Sequence, residues 1–316
     1  MKVRILGMDE LVISSPLLGN KVKNVAVLAQ KGFRVPRGFG LPYEAYTNHV
    51  AELLPALCRA RDKAVDYADM AKQFSEIVVS IRFNGADDVF KALEEHMPGA
   101  SHFAVRSSGA PVLGGQEAAE DSAEISLAGQ YESFLLVPTC NVPQAILLCY
   151  ASLFSERCLT QFNVKEDASY LNSRMSVLVQ EMCHADLSAV VMTRDPVEGG
   201  DNLTYGACEA LVSGEVQGDL YLLSRTTGDI LDAELGTKTA RIRYEPLIDW
   251  RKNNKVVQPL SEEYRIRYAA SQEMITKIYN LGMRIEKHFG VPQDIELVVV
   301  GDEIITVQTR PITASK

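Results

Sequence analysis

Asp294, Glu296, Gln308 and Arg310 are the residues whose types and spacing offer the most chemistry. They lie in two runs rich in β-branched residues, 291–300 and 303–311, separated by Gly301-Asp302. Such runs around a Gly-Asp turn signal predict a β-hairpin, and Pro311 ends its second strand because it has no N–H to donate. Alternation along a strand puts Asp294 and Glu296 on one face of the first run, and Thr306, Gln308 and Arg310 on one face of the second. A two-residue loop, Gly301-Asp302, sets Glu296 opposite Val307 and leaves the polar sets on opposite sides of the ribbon. A three-residue loop, Gly301 to Glu303, sets Glu296 opposite Gln308 and Asp294 opposite Arg310, with Ile295, Leu297, Ile305 and Val307 on an apolar face. The second register is preferred, because it sorts the residues into one buried and one polar face. Carboxylate and amide oxygens suit Mg²⁺ and a neighbouring guanidinium suits phosphate oxygens, so this polar face fits a metal-nucleotide site. The competing reading is a solvated face with a cross-strand Asp294–Arg310 ion pair.

Two other stretches offer anion chemistry. In residues 102–109 a short apolar strand runs into Arg106-Ser107-Ser108, which brings one fork-shaped cation and two hydroxyls to a loop. The loop that follows, 109–126, carries Gly114-Gly115 and an acidic run through Glu117, Glu120, Asp121 and Glu124, and reads as a lid or a surface excursion. Near the N-terminus, Gly19-Asn20-Lys21 is a small-residue turn that enters a helix, where Lys21 either faces phosphate or is simply solvated.

Elements must position these groups. The helix begun at Lys21 ends near Gly32, and an extended Pro- and Gly-punctuated segment follows. Residues 42–97 read as polar-rich helix broken near Asp66 and Asn84-Gly85. Residues 133–137 form a strand. Asn141 caps a helix with Pro143 in its first turn that runs to about residue 162. Residues 175–182, 188–193 and 202–207 are strands, and strands recur to about residue 244. Ser261 caps a long amphipathic helix whose stripe of Tyr264, Tyr268, Ile275, Ile278, Leu281 and Ile285 is core, and Gly290 ends it.

With 316 residues, 47% hydrophobic and 23% charged, the chain predicts a globular protein of two subdomains or domains. No run of about 18 apolar residues spans a membrane, and no signal-peptide layout opens the sequence. A formal net charge of -9 argues against a general nucleic-acid binder, while leaving room for a nucleotide site with a few local cations. The six cysteines show no C-x-x-C pair and no metal-ligand spacing with the five histidines, so they read as reduced thiols of a cytoplasmic protein.

Taken together, these stretches resemble the ATP-binding domain of the phosphoenolpyruvate synthase, pyruvate phosphate dikinase and rifampicin phosphotransferase family. Five segments match in the family's order: Gly19-Asn20-Lys21; Gly32 to Phe39; Val105-Arg106-Ser107-Ser108 with Glu120-Asp121 and Ser126 to Gln130; Gly206 to Glu209 with Val212-Ser213-Gly214; and Asp294-Ile295-Glu296 with Val307 to Pro311. The resemblance implies an α+β, ATP-grasp fold of two lobes closing on the nucleotide. The N-terminal lobe would be 1–180, with a helical insertion at about 42–97, and the C-terminal lobe 181–316. It implies that Lys21 and Arg106 neutralise the ATP phosphates and that the backbone of Gln180, Glu181 and Met182 meets the adenine edge. Glu209 would face the nucleotide, Glu296 and Gln308 would hold Mg²⁺ with Asp294 nearby, and Arg310 would reach the transferred phosphoryl group.

Departures from the family pattern fall at Asn20, Val22 and Lys23, at Cys208 in place of a Gly, in a longer segment between Ser108 and Glu120, and at Leu297 where the family often has Trp. His49, His96, His102, His184 and His288 all lie outside the family's phosphocarrier motif. The expected activity is therefore transfer of a phosphoryl or pyrophosphoryl group from MgATP to a carrier histidine on a separate or missing domain, with a final acceptor such as pyruvate. An autonomous ATP-dependent small-molecule kinase or ligase, and a non-catalytic nucleotide-binding subunit, are the alternatives.

Overall fold

The structure, a computed structural model, describes residues 5–8, 10, 18–110, 112–113, 116–117, 130–194, 202–205, 217–244, 250–251 and 255–312. Its helices and antiparallel sheets make an α+β protein. Contacts divide the chain into two compact units, Met1–Val27 with Arg37–Met182, and Leu28–Pro36 with Cys183–Lys316.

The first unit carries strands β1 (Leu6–Gly7), β2 (Gly38–Leu41), β3 (His102–Ala110), a short ribbon of β4 (Val112–Leu113) and β5 (Gln116–Glu117), then β6 (Ser133–Pro138) and β7 (Arg174–Glu181). Five of these form one sheet in the order β1-β2-β7-β3-β6. Its helices are α1 (Asn20–Gln30, whose last residues from Leu28 count with the second unit), α2 (Tyr43–Ala51), α3 (Leu54–Lys63), α4 (Tyr67–Val79), α5 (Ala86–His96), α6 (Val142–Ser152) and α7 (Glu156–Gln161). Phe39, Leu41, Phe103, Val105, Val177 and Val179 share one sheet face by register, and all are fully buried. Helix α6 packs on β3, β6 and β7, α2 on β7, and α5 on β2. Among the helices, Tyr46 meets Tyr150 edge-on at 5.1 Å and Phe74 meets Phe154 at 5.2 Å. Asp66 caps α4 by accepting from the Asp69 N–H at 2.8 Å, so the break expected there is a true helix start.

One expected helix is two. Asn141 makes no side-chain cap bond, because it already belongs to a 3₁₀ turn, Thr139–Asn141, that leads directly into α6. The run to residue 162 is interrupted after Ser152, and Ser155 starts α7 by accepting from the Cys158 N–H.

The second unit holds β8 (Leu187–Met192), β9 (Asn202–Tyr205), β10 (Leu220–Leu223), β11 (Ile230–Glu234), the ribbon of β12 (Ala240–Tyr244) and β13 (Lys255–Pro259), then β14 (Gln293–Val300) and β15 (Glu303–Pro311). Six strands form a sheet in the order β11-β10-β9-β8-β14-β15. Helices α8 (Glu262–Arg265) and α9 (Gln272–Phe289) precede the last hairpin. Ile275, Ile278 and Ile285 of α9 join Val191, Tyr221, Leu223, Ile295 and Leu297 in one buried cluster. Gly290 ends α9 in the left-handed region at φ +72°, as a C-terminal Gly should.

Here too a single expected helix is interrupted. Ser261 precedes only the short α8, and the cap of α9 is Ser271, whose Oγ accepts from the Met274 N–H at 3.2 Å. The break resets the helical phase, so Tyr264 and Tyr268 are 66% and 45% exposed and the core stripe begins at Ile275. Asp219, fully buried, accepts from the N–H groups of Gly236 at 2.9 Å and Ala269 at 2.7 Å and from the Lys238 ammonium, which also donates to the Arg267 carbonyl at 2.7 Å. Among the described residues, no helix is long and apolar enough to cross a membrane.

Candidate functional site

The terminal hairpin turns through two residues, Gly301-Asp302, with Val300 paired to Glu303. The three-residue loop expected from the sequence is therefore wrong. Yet Glu296 does pair with Gln308, and Asp294 with Arg310. A β-bulge supplies the missing residue: Leu297 pairs with Thr306 and Glu296 with Gln308, so Val307 is extra on β15. Because the bulge shifts the alternation, the tip of β15 is phased oppositely to expectation. The face of Ile295, Leu297 and Val299 meets Thr309, Thr306 and Ile304, while Ile305 pairs with Val298 on the side of Glu296.

Arg310 donates from both Nε and Nη2 to Asp294 Oδ2, at 2.9 and 2.7 Å. The side chains of this pair are 25% and 13% exposed, so the cross-strand ion pair is real and largely shielded. Gln308 is buried and Glu296 half-buried. Beneath them Gln293 is fully buried, accepting at Oε1 from Thr309 Oγ1 at 2.8 Å, while its N–H donates to Thr193 Oγ1 at 2.8 Å. Along the free edge of β15 the Thr306 N–H donates to the Arg34 carbonyl at 2.8 Å. The polar residues thus stand on a strand pair whose register is fixed from below and from the side.

The Lys21 turn is built against β3 and β7. Lys21 is buried; its Nζ donates to the Ser107 carbonyl at 2.8 Å and its N–H to Ser108 Oγ at 3.2 Å. The Gly19 N–H donates to Ser176 Oγ at 2.9 Å, and Ser176 Oγ donates to the Ser108 carbonyl at 3.2 Å. Two N–H groups at the start of α1 are therefore satisfied by serines of the sheet. The two-hydroxyl anion reading is corrected accordingly. Ser107 and Ser108 point to opposite faces; Ser107 Oγ donates to the Glu132 carbonyl at 2.7 Å, and Ser108 Oγ holds the Lys21 backbone. Arg106, half-buried, lies on the face of Ser108, Ser176, Leu178 and Gln180. Ser176 belongs to no motif of its own, but the alternation Ser176, Leu178, Gln180 along one strand marks its face.

Gly19 has no room for a side chain: a Cβ there would meet Ser108 Oγ at 2.1 Å and the Ser108 carbonyl oxygen at 2.7 Å. Gly19→Ala is expected to push the turn off β3, lowering stability by about 1–3 kcal/mol and weakening any anion binding that depends on Lys21. Denaturant unfolding checks the first effect.

At the end of β7, the N–H of Glu181 donates to the Arg37 carbonyl at 2.9 Å and the N–H of Met182 to the His102 carbonyl at 3.0 Å. The Glu181 carboxylate receives Arg37 in a fork, Nε to Oε2 at 2.7 Å and Nη2 to Oε1 at 2.9 Å. Both N–H groups are committed within this unit.

Lys21, Arg106, Gln180, Glu181 and Met182 belong to the first unit, and Asp294, Glu296, Gln308 and Arg310 to the second. Glu209, with Cys208, Glu120 and Asp121, lies outside the described residues. Among the described residues, no three His, Cys, Asp or Glu side chains converge as a metal cluster.

Known proteins give this geometry a context. The family model described as pyruvate phosphate dikinase, AMP/ATP-binding domain, matches residues 15–316. The chain is 29% identical to a probable phosphoenolpyruvate synthase of Archaeoglobus fulgidus, covering 94% of this chain and 40% of the relative. It is 28% identical to the rifampicin phosphotransferase of Bacillus subtilis (99% and 36%) and to a probable phosphoenolpyruvate synthase of Methanothermobacter thermautotrophicus (98% and 45%). The chain thus spans less than half the length of these relatives.

Proposed function

The chain belongs to the pyruvate phosphate dikinase AMP/ATP-binding domain family, and from that premise we propose that it binds MgATP and transfers a phosphoryl or pyrophosphoryl group to a histidine on a carrier domain. The carrier then passes the group to a small acceptor such as pyruvate. The observation that carries this reading is the bulged hairpin, which sets Glu296 against Gln308 beside the guanidinium of Arg310.

The donor set fits the metal. Mg²⁺ takes hard oxygen ligands, commonly one or two carboxylates with substrate phosphates and waters completing the shell. Glu296 and the Gln308 amide oxygen would hold it, and bound Mg²⁺ would supply charge neutralisation on the phosphate chain. Asp294, committed to Arg310, is better read as positioning that guanidinium than as a metal ligand. Lys21 and Arg106 of the first unit would neutralise phosphate oxygens, and Glu209 would face the nucleotide. In this proposal the two units correspond to the lobes of an ATP-grasp fold, expected at residues 1–180 and 181–316, except that 28–36 joins the second unit and the first extends to Met182; the protein works in the cytoplasm. Phosphoryl transfer depends mainly on positioning and charge neutralisation, so a site of cations and metal ligands without a nucleophilic triad suits it.

A thermal-shift titration tests the binding half. MgATP at 100 times its dissociation constant should stabilise the chain by about 2.7 kcal/mol, an upward move of several degrees. Lys21→Ala should reduce the response. No response of the wild-type chain to any adenine nucleotide would end the proposal.

A further inference from the structure

Helix α1 is shared between the two units: Lys21 stands in the first and Leu28 in the second. Lys21, Val25 and Leu28 are spaced four and three residues apart, so they form one stripe along the helix, and all three are buried. The helix is held at both ends. At its start the Gly19 and Lys21 N–H groups donate to Ser176 and Ser108 of the first unit's sheet. At its end Leu28 is fully buried in the cluster of Val191, Leu223, Ile275, Ile278 and Ile295, all of the second unit.

The second anchor is stiff. The Phe33 N–H donates to the Leu28 carbonyl at 3.0 Å and the Gly32 N–H to the Ala29 carbonyl at 3.0 Å, with Gly32 left-handed at φ +76°. This is a Schellman ending, which commonly brings together side chains in the places of Leu28 and Phe33. Phe33 and Val35 pack on the same cluster, Arg284 lies over the Phe33 ring at 5.1 Å, and the Arg34 carbonyl accepts from the Thr306 N–H. Between Lys21 and Leu28 the helix contains neither Gly nor Pro, the residues at which helices most often kink. About 10 Å of unbroken helix therefore joins the two anchors.

Resting on the MgATP reading, we infer that Leu28 is a positioning residue for Lys21: its seat in the second unit's core sets, through α1, where the Lys21 ammonium stands for the phosphate chain. A buried leucine touches no nucleotide and acts only by fixing the helix. Lys21 Nζ is placed by its bond to the Ser107 carbonyl at 2.8 Å, and sliding or tilting α1 carries it off that mark. A misplacement of about 1 Å in a group that meets substrate is costly even when its cause lies elsewhere. The core of the second unit thereby has a direct effect on a cation of the first.

The test measures MgATP affinity by calorimetry in the full chain and in its Lys21→Ala, Leu28→Ala, Leu28→Met and Ile278→Ala variants, with the Lys21→Ala/Leu28→Ala double variant beside them. The temperature is one at which near-UV circular dichroism shows each folded. Ile278 fills the same cluster from α9, so Ile278→Ala and Leu28→Ala should lower the thermal midpoint alike. Leu28→Ala should weaken MgATP binding about tenfold, while Ile278→Ala leaves it within about twofold. Leu28→Met refills the seat and should restore most of the affinity. Lys21→Ala alone should also cost about tenfold, and the double variant no more than that, because Leu28 acts through the ammonium already removed. Leu28→Val, which removes less volume, takes the place of Leu28→Ala if the latter does not fold. Equal loss of affinity in Leu28→Ala and Ile278→Ala, or additive losses in the double variant, would make Leu28 purely structural and overturn the inference. A wild-type chain that binds no MgATP removes the nucleotide reading itself, an outcome distinct from binding that both core variants weaken alike.

Discussion

Glu296→Ala should lower phosphoryl transfer from MgATP by about 10²–10³-fold, the usual effect of removing one preorganised charge-stabilising group, while the chain stays folded. The separation of the two effects follows from the hairpin. Glu296 is half-buried on the polar face of β14, and the register there is fixed by Gln293, Thr309 and Thr193 on the other face. Truncating it removes a metal-ligand candidate without opening the core of Ile295 and Leu297. Arg310→Ala should impair turnover as strongly but be less clean, because it leaves the Asp294 carboxylate, 13% exposed, without its guanidinium. The two variants differ in readout: circular dichroism and thermal midpoint near wild type for Glu296→Ala, a lowered midpoint for Arg310→Ala. A Glu296→Ala chain with full turnover would remove the metal-site assignment.

The largest stability effect is expected at Asp219. Its carboxylate joins Gly236, Ala269 and Lys238, all by hydrogen bonds, and both charged side chains are almost wholly buried. Lys238 itself has φ +30°, a backbone conformation that non-glycine residues rarely keep unless their surroundings hold them there. Asp219→Ala leaves a buried ammonium and two N–H groups without their acceptor, and breaking a buried pair in this way costs about 3–5 kcal/mol. That corresponds to roughly 10 °C in thermal midpoint. The contrast is Glu263→Ala, which breaks an ion pair with Arg267 whose side chains are 64% and 70% exposed and should change stability by under about 1 kcal/mol. Equal effects in the two variants would show that the Asp219 cluster does not hold this unit together.

The sequence was most legible where one rule acted alone. Gly290 ends a helix because nothing competes with its left-handed backbone, and Asp66 caps one because its carboxylate meets the N–H three residues on. It was least legible where a neighbouring element could do the same task. Asn141 looked like a cap, but a 3₁₀ turn feeds that helix; Ser261 looked like a cap, but Ser271 ten residues later is the one that starts the long helix. The hairpin shows a subtler limit. The pairs Glu296 with Gln308 and Asp294 with Arg310 were read correctly, yet by way of a loop length the chain does not use, because a bulge at Val307 leaves no composition signal. In the first unit the helix entry at Gly19-Asn20-Lys21 was legible, whereas Ser176 and the committed N–H groups of Glu181 and Met182 depend on strands brought together from distant sequence.

The most direct test of the central claim is a ³¹P NMR time course of the purified chain with MgATP, run with and without a phosphohistidine carrier domain from a family member. Enzyme-dependent loss of the ATP resonances is expected when the carrier is present, with AMP or ADP signals naming the group transferred, and no loss without it. ATP left unchanged in both mixtures would contradict it and mark the chain as a nucleotide-binding subunit without phosphotransfer.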